Sequence, residues 1–482
     1  MKNETVSCCS EPFTQGSNGR YDLAVIGAGS AGFSAAITAA EAGKHVAMIG
    51  HGTIGGTCVN VGCVPSKTMI RAMEAAHHGN AASRFAGLKG EIEISDWRAL
   101  VTQKDQLVQD LRQAKYIDLL PSYNGITYLE GKAQLSKGGV KVNDTLVQAD
   151  KVIIATGSSA AVPNIAGIQD IDYLTSTTAL ELERLPESLL VIGAGYIGCE
   201  LAQIFARAGV QVTLTCRSRL IPEAEPEISA ALTGYLRDEG VLVRDGLGYR
   251  EIHSDSKGVH FAITHQEQTE TLNAERVLIT TGRHANTLGL GLDEAGVEVL
   301  PNGGVRVDDR MRTSKAGVYA AGDVTGRDQF VYMAAYGAKI AVNNAINNDS
   351  LIYDNSAMPW VVFTDPQVAG VGLSEAGARA LGLNVKTSTI SLEHVPRALA
   401  ARDTRGLIKL VADKDSNKLL GAQILAPEGA DSIQTAVLAI KHGLSVMDLA
   451  DTIFPYLTTV EGLKLAAQTF DKDVSKLSCC AG

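Results

Sequence analysis

One local pattern occurs twice in the chain, and it restricts the fold more than any other feature. Tyr21-Asp-Leu-Ala-Val-Ile-Gly27 reads as a buried strand running into Gly27-Ala28-Gly29-Ser30-Ala31-Gly32, with residues 35–43 as the helix that follows. Leu189-Leu-Val-Ile-Gly193 repeats it, leading into Gly193-Ala194-Gly195-Tyr196-Ile197-Gly198 and a helix over about 199–209. In such a strand-turn-helix setting the first glycine permits a tight turn and the second lets backbone approach a pyrophosphate. The third lets the helix pack closely, with its N-terminus facing the anion. Each copy is followed by a further strand ending in a small turn, Val152-Ile-Ile-Ala-Thr156-Gly157 and Val277-Leu-Ile-Thr-Thr281-Gly282. Two related dinucleotide-binding units follow from that pairing.

The two copies differ where the second strand ends. About 20 residues after the turn such units place an acid that accepts the ribose hydroxyls. In the first copy that place is Gly50, next to His51, so the ribose must be held by other groups. In the second, Val212-Thr-Leu-Thr-Cys216 ends in Arg217 and Arg219, cations that suit the 2′-phosphate of NADPH. Solvated arginines at a strand end are the alternative.

A chain of 482 residues is long enough for about three domains. The formal charge of -10 gives no basic footprint for nucleic acid and favours a small-molecule partner. No apolar run approaches the roughly 20 residues of a membrane span, and Met1-Lys2-Asn3-Glu4 lacks the apolar stretch of a secretion signal. A cytoplasmic location is expected. The expected division is a flexible tail over 1–19, a first nucleotide unit over 20–157 resumed at 284–355, and a second over 158–283. A third domain of α+β type covers 356–482, with strands near 360–363 and 407–412 and helices near 431–442 and 446–451. The first unit also holds helical stretches, about 66–79 and 96–120, that the second lacks.

Eight cysteines are few for this length and argue against a disulfide scaffold. Cys199 and Cys216 read as ordinary buried residues. Cys58 and Cys63 are different, because they stand in Gly55-Gly56-Thr57-Cys58-Val59-Asn60-Val61-Gly62-Cys63-Val64-Pro65-Ser66-Lys67. Pro65 suits a helix's first turn, which puts Cys63 at the positive end of that helix, where a thiolate is stabilised. Cys58, in the preceding loop, could approach it to form a strained, reducible disulfide. Two unrelated buried cysteines are the plain alternative.

This stretch resembles the redox motif of the pyridine nucleotide-disulfide oxidoreductases, the family of glutathione reductase and dihydrolipoamide dehydrogenase. Tyr319-Ala-Ala-Gly322-Asp323 resembles the family's second flavin motif, whose Asp binds the ribityl chain, and Thr281-Gly282-Arg283 its second nicotinamide-domain motif. The resemblance spans residues 20 to 482. It implies an α/β fold with two Rossmann-like dinucleotide-binding domains, for FAD and NADPH, and a C-terminal α+β dimerisation domain. It further implies Cys63 as the flavin-proximal thiolate, Cys58 as the exchanging thiol, and Lys67 as the ammonium near flavin N5, paired with Glu200. Tyr196 would gate the nicotinamide pocket. The cofactor-binding set it implies is Gly27, Gly29, Gly32, Thr57, Lys67, Thr156, Gly157, Gly322 and Asp323, with Gly193, Gly195, Tyr196, Gly198, Arg217, Arg219, Gly282 and Arg283.

Disulfide reductases of this family protonate the leaving thiol with a His-Glu pair set in a His-Pro stretch of the C-terminal domain. The corresponding place here reads Phe454-Pro455-Tyr456-Leu457-Thr458, and phenylalanine cannot transfer a proton. His394 and His442 are not in that context. Near the end stand Cys479 and Cys480, and a vicinal thiol pair can capture a soft d10 cation and pass it on by ligand exchange. Phe454-Pro455-Tyr456, Glu461-Gly462-Leu463-Lys464-Leu465 and Leu477-Ser478-Cys479-Cys480-Ala481-Gly482 together resemble the mercuric-ion-reducing branch of the family. That implies reduction of thiolate-bound Hg(II) to Hg(0) in a homodimer, the metal carried by Cys58, Cys63, Cys479 and Cys480. Two flanking tyrosines match Tyr456 and Tyr116, and the terminal pair would act on the partner subunit. Members often carry an N-terminal metal-capture domain; here Cys8-Cys9 is either a minimal trap or a redundant surface pair. The competing functions are reduction of a low-molecular-weight or lipoyl disulfide, and sequestration of a soft metal by four cysteines in a closed tetrahedral site.

Overall fold

The computed structural model describes residues 19–347 and 349–474, so Cys8, Cys9, Cys479 and Cys480 lie outside the described residues. The chain divides into two compact units, Met1–Asn60 with Leu107–Ser159 and Arg283–Tyr353, and Val61–Gln106 with Ala160–Gly282 and Asp354–Gly482.

In the first unit β1 (Arg20–Ile26), α1 (Ser30–Glu41) and β2 (Val46–Gly50) are followed by α2 (Gly56–Asn60), a single helical turn, and later by β3 (Ile126–Glu130). In a seven-stranded sheet β3, β2, β1 and Thr145–Ile154 run parallel in that order, Val318–Ala320 also pairs in parallel with Thr145–Ile154, and Gly139–Val142 and Ala133–Ser136 extend it antiparallel. Leu23 through Ile26 are almost fully buried, as expected for a strand covered on both faces. Because Ile26 is level with both Ile49 and Ile154, and Ala320 with Ile154, Gly27, Gly50, Thr156 and Gly322 all emerge at one carboxyl edge. That edge is where open parallel sheets bind ligands. The helix α1 starts at Ser30, earlier than the expected 35, because it opens directly on the glycine turn with Gly29 as its N-cap.

The second unit contains the repeat. Leu242–Arg244, Gln211–Thr215, Ser188–Ile192 and Arg276–Ile279 form a parallel four-stranded sheet in that order, and Gly248–Asp255, Gly258–His265 and Gln268–Ala274 an antiparallel meander. A separate antiparallel sheet orders Pro359–Val362, Gln367–Gly372, Leu419–Ala426, Leu407–Asp413 and Val385–Ser391, packed against Gly429–Lys441 and Glu461–Gln468. The redox helix α3 (Cys63–Asn80) packs on Tyr196–Arg207, sharing a core with Phe205. The expected helix over 96–120 is shorter, Trp97–Arg112, and passes into one π turn at Gln113–Ile117. Cys199 and Cys216 are buried as expected, and burial pushes the Cys216 thiol up to about 11. Among the described residues no helix is long and apolar enough to cross a membrane.

Candidate active site

The first glycine turn is built around contacts that admit no side chain. A Cβ on Gly27, whose φ is +128°, would lie 2.1 Å from the Ala155 carbonyl oxygen, and one on Gly32 would lie 1.9 Å from the Gly27 oxygen. The Cα of Gly29 is so close to Gly56 that a Cβ on Gly56 would sit 2.5 Å from it, which lays the loop before Cys58 directly on the turn. Gly29 offers no side-chain cap to α1, so the first backbone N–H groups of that helix can serve an anion. This cradle fits the pyrophosphate of FAD. At the same edge Gly157 has a φ of +71° with open space where its Cβ would be, and the Thr156 hydroxyl donates to the Asn286 carbonyl at 2.7 Å. The Ser158 hydroxyl donates to the Asp323 carboxylate at 2.6 Å and accepts from Arg283 Nε at 2.7 Å. Arg283, grouped by sequence with the nicotinamide motif, is therefore tied to the acid of the flavin motif, 3.8 Å from it.

Cys58 lies in the helical turn α2, not in a loop as expected, and is half-buried beside the exposed Thr57. The Asn60 amide ties this segment together, donating to the carbonyls of Ile54 and Gly56 at 2.8 Å each and accepting from Arg112 at 3.1 Å. Tyr116 sits in the π turn, edge-on to Phe33 with centroids 4.8 Å apart, and its ring lies 3.3 Å from where a Gly55 Cβ would be. It is thus brought to the Cys58 segment.

Cys63 is the first residue of α3 and is exposed. Its N-cap is Gly62, with no side-chain cap, so the helix dipole and its amides favour a thiolate there. Lys67 follows one turn later on the same face. Its ammonium is 2.7 Å from Glu200 Oε2 and 4.8 Å from the Phe363 ring centroid. The other Glu200 oxygen accepts the Phe363 backbone N–H at 2.9 Å. A buried carboxylate held at both oxygens thereby fixes a half-exposed cation next to the helix start that carries Cys63.

The second turn repeats the steric logic. A Cβ on Gly193, φ +109°, would lie 2.5 Å from the Thr280 oxygen, and one on Gly198 1.9 Å from the Gly193 oxygen, whereas nothing lies within 4 Å of a Cβ on Gly195. Gly282, φ +105°, is equally open. Tyr196 opens its helix and stacks on Trp360, centroids 5.7 Å apart and planes at 21°. Of the two cations, Arg217 is exposed over the Tyr249 ring at 5.1 Å, and burial pushes the Tyr249 phenol up to about 12. Arg219 is turned into its own loop, donating to the carbonyls of Pro222 and Ala224 at 2.7 and 2.8 Å. The loop leaves its own carbonyls to be satisfied, and Arg219, expected with Arg217 at the 2′-phosphate, donates to two of them.

Phe454 packs against the core of the five-stranded sheet. Tyr456 is 54% exposed in the loop before the last helix, where the Leu457 N–H donates to Glu461 at 3.2 Å. Burial pushes the Glu461 carboxyl above its ordinary value. His394 and His442 are exposed. The roles of Asn60, Trp360 and Phe363 were not read from the sequence. Asn60, the lone amide between two cysteines, carried a local capping signal; the other two act through contacts distant in sequence.

With this geometry in place, the class is defined by comparison. The profile of the pyridine nucleotide-disulphide oxidoreductases matches residues 21–339, and that of their dimerisation domain matches 358–467. The chain belongs to this family. It is 47% identical over 468 residues to a mercuric reductase of Streptomyces lividans, covering 96% of this chain and 98% of that one. It is 46% identical to a mercuric reductase of Lysinibacillus sphaericus, covering 96% and 85%, and 47% identical to one of Bacillus cereus, covering 96% and 73%. Among solved structures it is similar to the Cu(II) complex of the HOCl-induced flavoprotein disulfide reductase RclA from Escherichia coli, with a TM-score of 0.83 at 29% identity over 93% of this chain and 99% of that one.

Proposed function

We propose that the protein reduces thiolate-bound Hg(II) to Hg(0) with FAD and NADPH, as a cytoplasmic homodimer joined through its C-terminal domain. The observation that carries this reading is Phe454, partly buried against the core of the five-stranded sheet, at the place where a disulfide reductase requires its proton-donating histidine, in a chain that keeps the Cys58 and Cys63 segment. The proposed domains are 20–157 with 284–355 for FAD, 158–283 for NADPH and 356–482 for dimerisation.

Gly27, Gly29, Gly32, Thr57, Thr156, Gly157, Gly322 and Asp323 hold FAD, and Gly193, Gly195, Tyr196, Gly198, Gly282 and Arg217 hold NADPH. When bound, these cofactors supply the two-electron chemistry. Cys58 and Cys63 take Hg(II) by thiolate exchange from Cys479 and Cys480, and soft sulfur ligands suit this soft cation. Two electrons reduce the metal, its bonds to sulfur break, and both thiolates are retained. Lys67, fixed by Glu200, supplies positive charge that favours anionic groups near it. The hydroxyls of Tyr116 and Tyr456 flank the metal and assist ligand release.

The test is NADPH oxidation by the purified flavoprotein with Hg(II) in excess thiol, followed with release of elemental mercury. Hg(II)-dependent turnover is expected, falling to background in Cys58→Ala and Cys63→Ala, with no comparable turnover of glutathione disulfide or lipoamide. A flavin-loaded protein whose NADPH oxidation ignores Hg(II) would sink the proposal.

A further inference from the structure

The first nucleotide unit lacks the acid that accepts ribose hydroxyls, and the space that acid would leave by is taken. A Cβ built on Gly50 would lie 2.3 Å from the Tyr128 hydroxyl oxygen, 2.8 Å from Tyr128 Cζ and 2.9 Å from the Ala28 Cβ. Ala28 is the second residue of the Gly27-Ala28-Gly29 turn, so the phenol and the fingerprint border the same point beside Gly50. Strand register explains how. Met48 is level with Tyr128 and Gly50 with Glu130, and the Gly131 N–H donates to the Gly50 carbonyl at 2.8 Å. With a side-chain period of two, Tyr128 and Glu130 share the face on which a side chain at position 50 would stand, while Leu129 and Ile49 face the core. Tyr128 runs along that face from the level of Met48 to end over Gly50.

We propose that Tyr128 replaces the missing acid, its hydroxyl accepting a hydrogen bond from the adenosine ribose of FAD at the end of β2, with Glu130 as the neighbouring carboxylate. A hydroxyl has two acceptor lone pairs and one donor, so it can serve a ribose that both donates and accepts. Burial, and then the Glu130 charge, push the phenol above its ordinary value, so it keeps its proton at neutral pH. Gly50 is the counterpart of this arrangement: any side chain there would collide with the phenol. The assignment rests on the flavoprotein reading.

The experiment measures dissociation constants of the apoprotein, by flavin fluorescence, for FAD and for FAD analogues lacking one or other hydroxyl of the adenosine ribose. Loss of one neutral hydrogen bond corresponds to roughly three- to tenfold in affinity. Wild type is expected to prefer FAD over one analogue by that factor, and Tyr128→Phe to weaken FAD binding equally and abolish the preference. Tyr128→Phe retaining the full preference overturns the proposal, as does Glu130→Gln abolishing it while Tyr128→Phe keeps it. If Tyr128→Phe does not fold, the paired variant Gly50→Glu with Tyr128→Ala decides: restored preference for FAD supports the substitution of roles, and its loss opposes it. A wild-type chain that takes up no FAD overturns the flavoprotein reading itself, and this inference with it.

Discussion

The two glycine turns are nearly superimposable in their steric demands and unlike in everything that follows them. Both place the first glycine at positive φ against a carbonyl, Gly27 on Ala155 and Gly193 on Thr280, and both pack the third glycine on the oxygen of the first. The middle glycines part company. Gly29 is pressed on Gly56, so the first turn is roofed by the segment leading to Cys58, whereas Gly195 faces open space. The strand ends differ as well: Gly50 with a phenol over it in one, Arg217 over Tyr249 in the other. Backbone geometry is thus what the repeat fixes, and on the proposed function ligand identity is set by residues outside the fingerprint.

The sharpest way to break this comparison is to place a methyl group at matched positions. Gly27→Ala and Gly193→Ala each combine an unfavourable φ with a carbonyl clash, and each should cost more than about 3 kcal/mol, lowering the melting temperature and, for Gly27→Ala, the FAD content. Gly195→Ala should leave the melting temperature unchanged, since its N-cap φ of -78° suits alanine, and raise the Michaelis constant for NADPH on the order of tenfold by obstructing backbone approach. Equal destabilisation by Gly195→Ala and Gly193→Ala in thermal melts would show that the turn's middle glycine is structural, not a ligand contact.

A smaller effect sharpens the contrast between strand ends. Arg217→Glu should raise the Michaelis constant for NADPH about ten- to hundredfold while leaving that for NADH within a few fold, because only the former carries a 2′-phosphate. Arg219→Ala should instead lower the melting temperature, its guanidinium being engaged with loop carbonyls. The sequence could not separate these two arginines, two residues apart, because the difference lies in which way the loop between Thr215 and Pro226 turns. It was more informative where chemistry is local. The turns, the helix start at Cys63 and the packed Cys199 and Cys216 all follow from spacing and composition. The Lys67 pair with Glu200, 133 residues away, came only through resemblance, and nothing in periodicity suggests Tyr128 over Gly50 or Trp360 against Tyr196. Those contacts are set by strand register and helix packing.

The first copy also carries an insert that the second lacks, and the far end of its helix offers the mildest test. The helix α3 begins with Cys63 and ends near His77 and His78. His78 lies 3.1 Å from Asp365, which Arg207 also contacts at 2.9 Å and Arg405 at 3.4 Å, and Arg207 is held in turn by Glu239 through two contacts of 2.7 and 2.8 Å. Burial works against ionisation of Asp365, but the His78 hydrogen bond and the charges of Arg207 and Arg405 outweigh it and hold the carboxyl well below its usual range. The same hydrogen bond raises the His78 imidazole above its ordinary 6.5, against partial burial. A raised value means that the fold stabilises the protonated ring, so the contribution is complete below about 6.5 and is lost as pH rises through the raised value. His78→Gln should therefore lower the melting temperature by a degree or two near pH 5.5 and by almost nothing near pH 9, a small effect because the ring is half exposed. Equal losses at both pH values would assign His78 to packing alone, and the Arg207–Asp365 pair would then lend no charge-dependent hold on the helix that begins at Cys63.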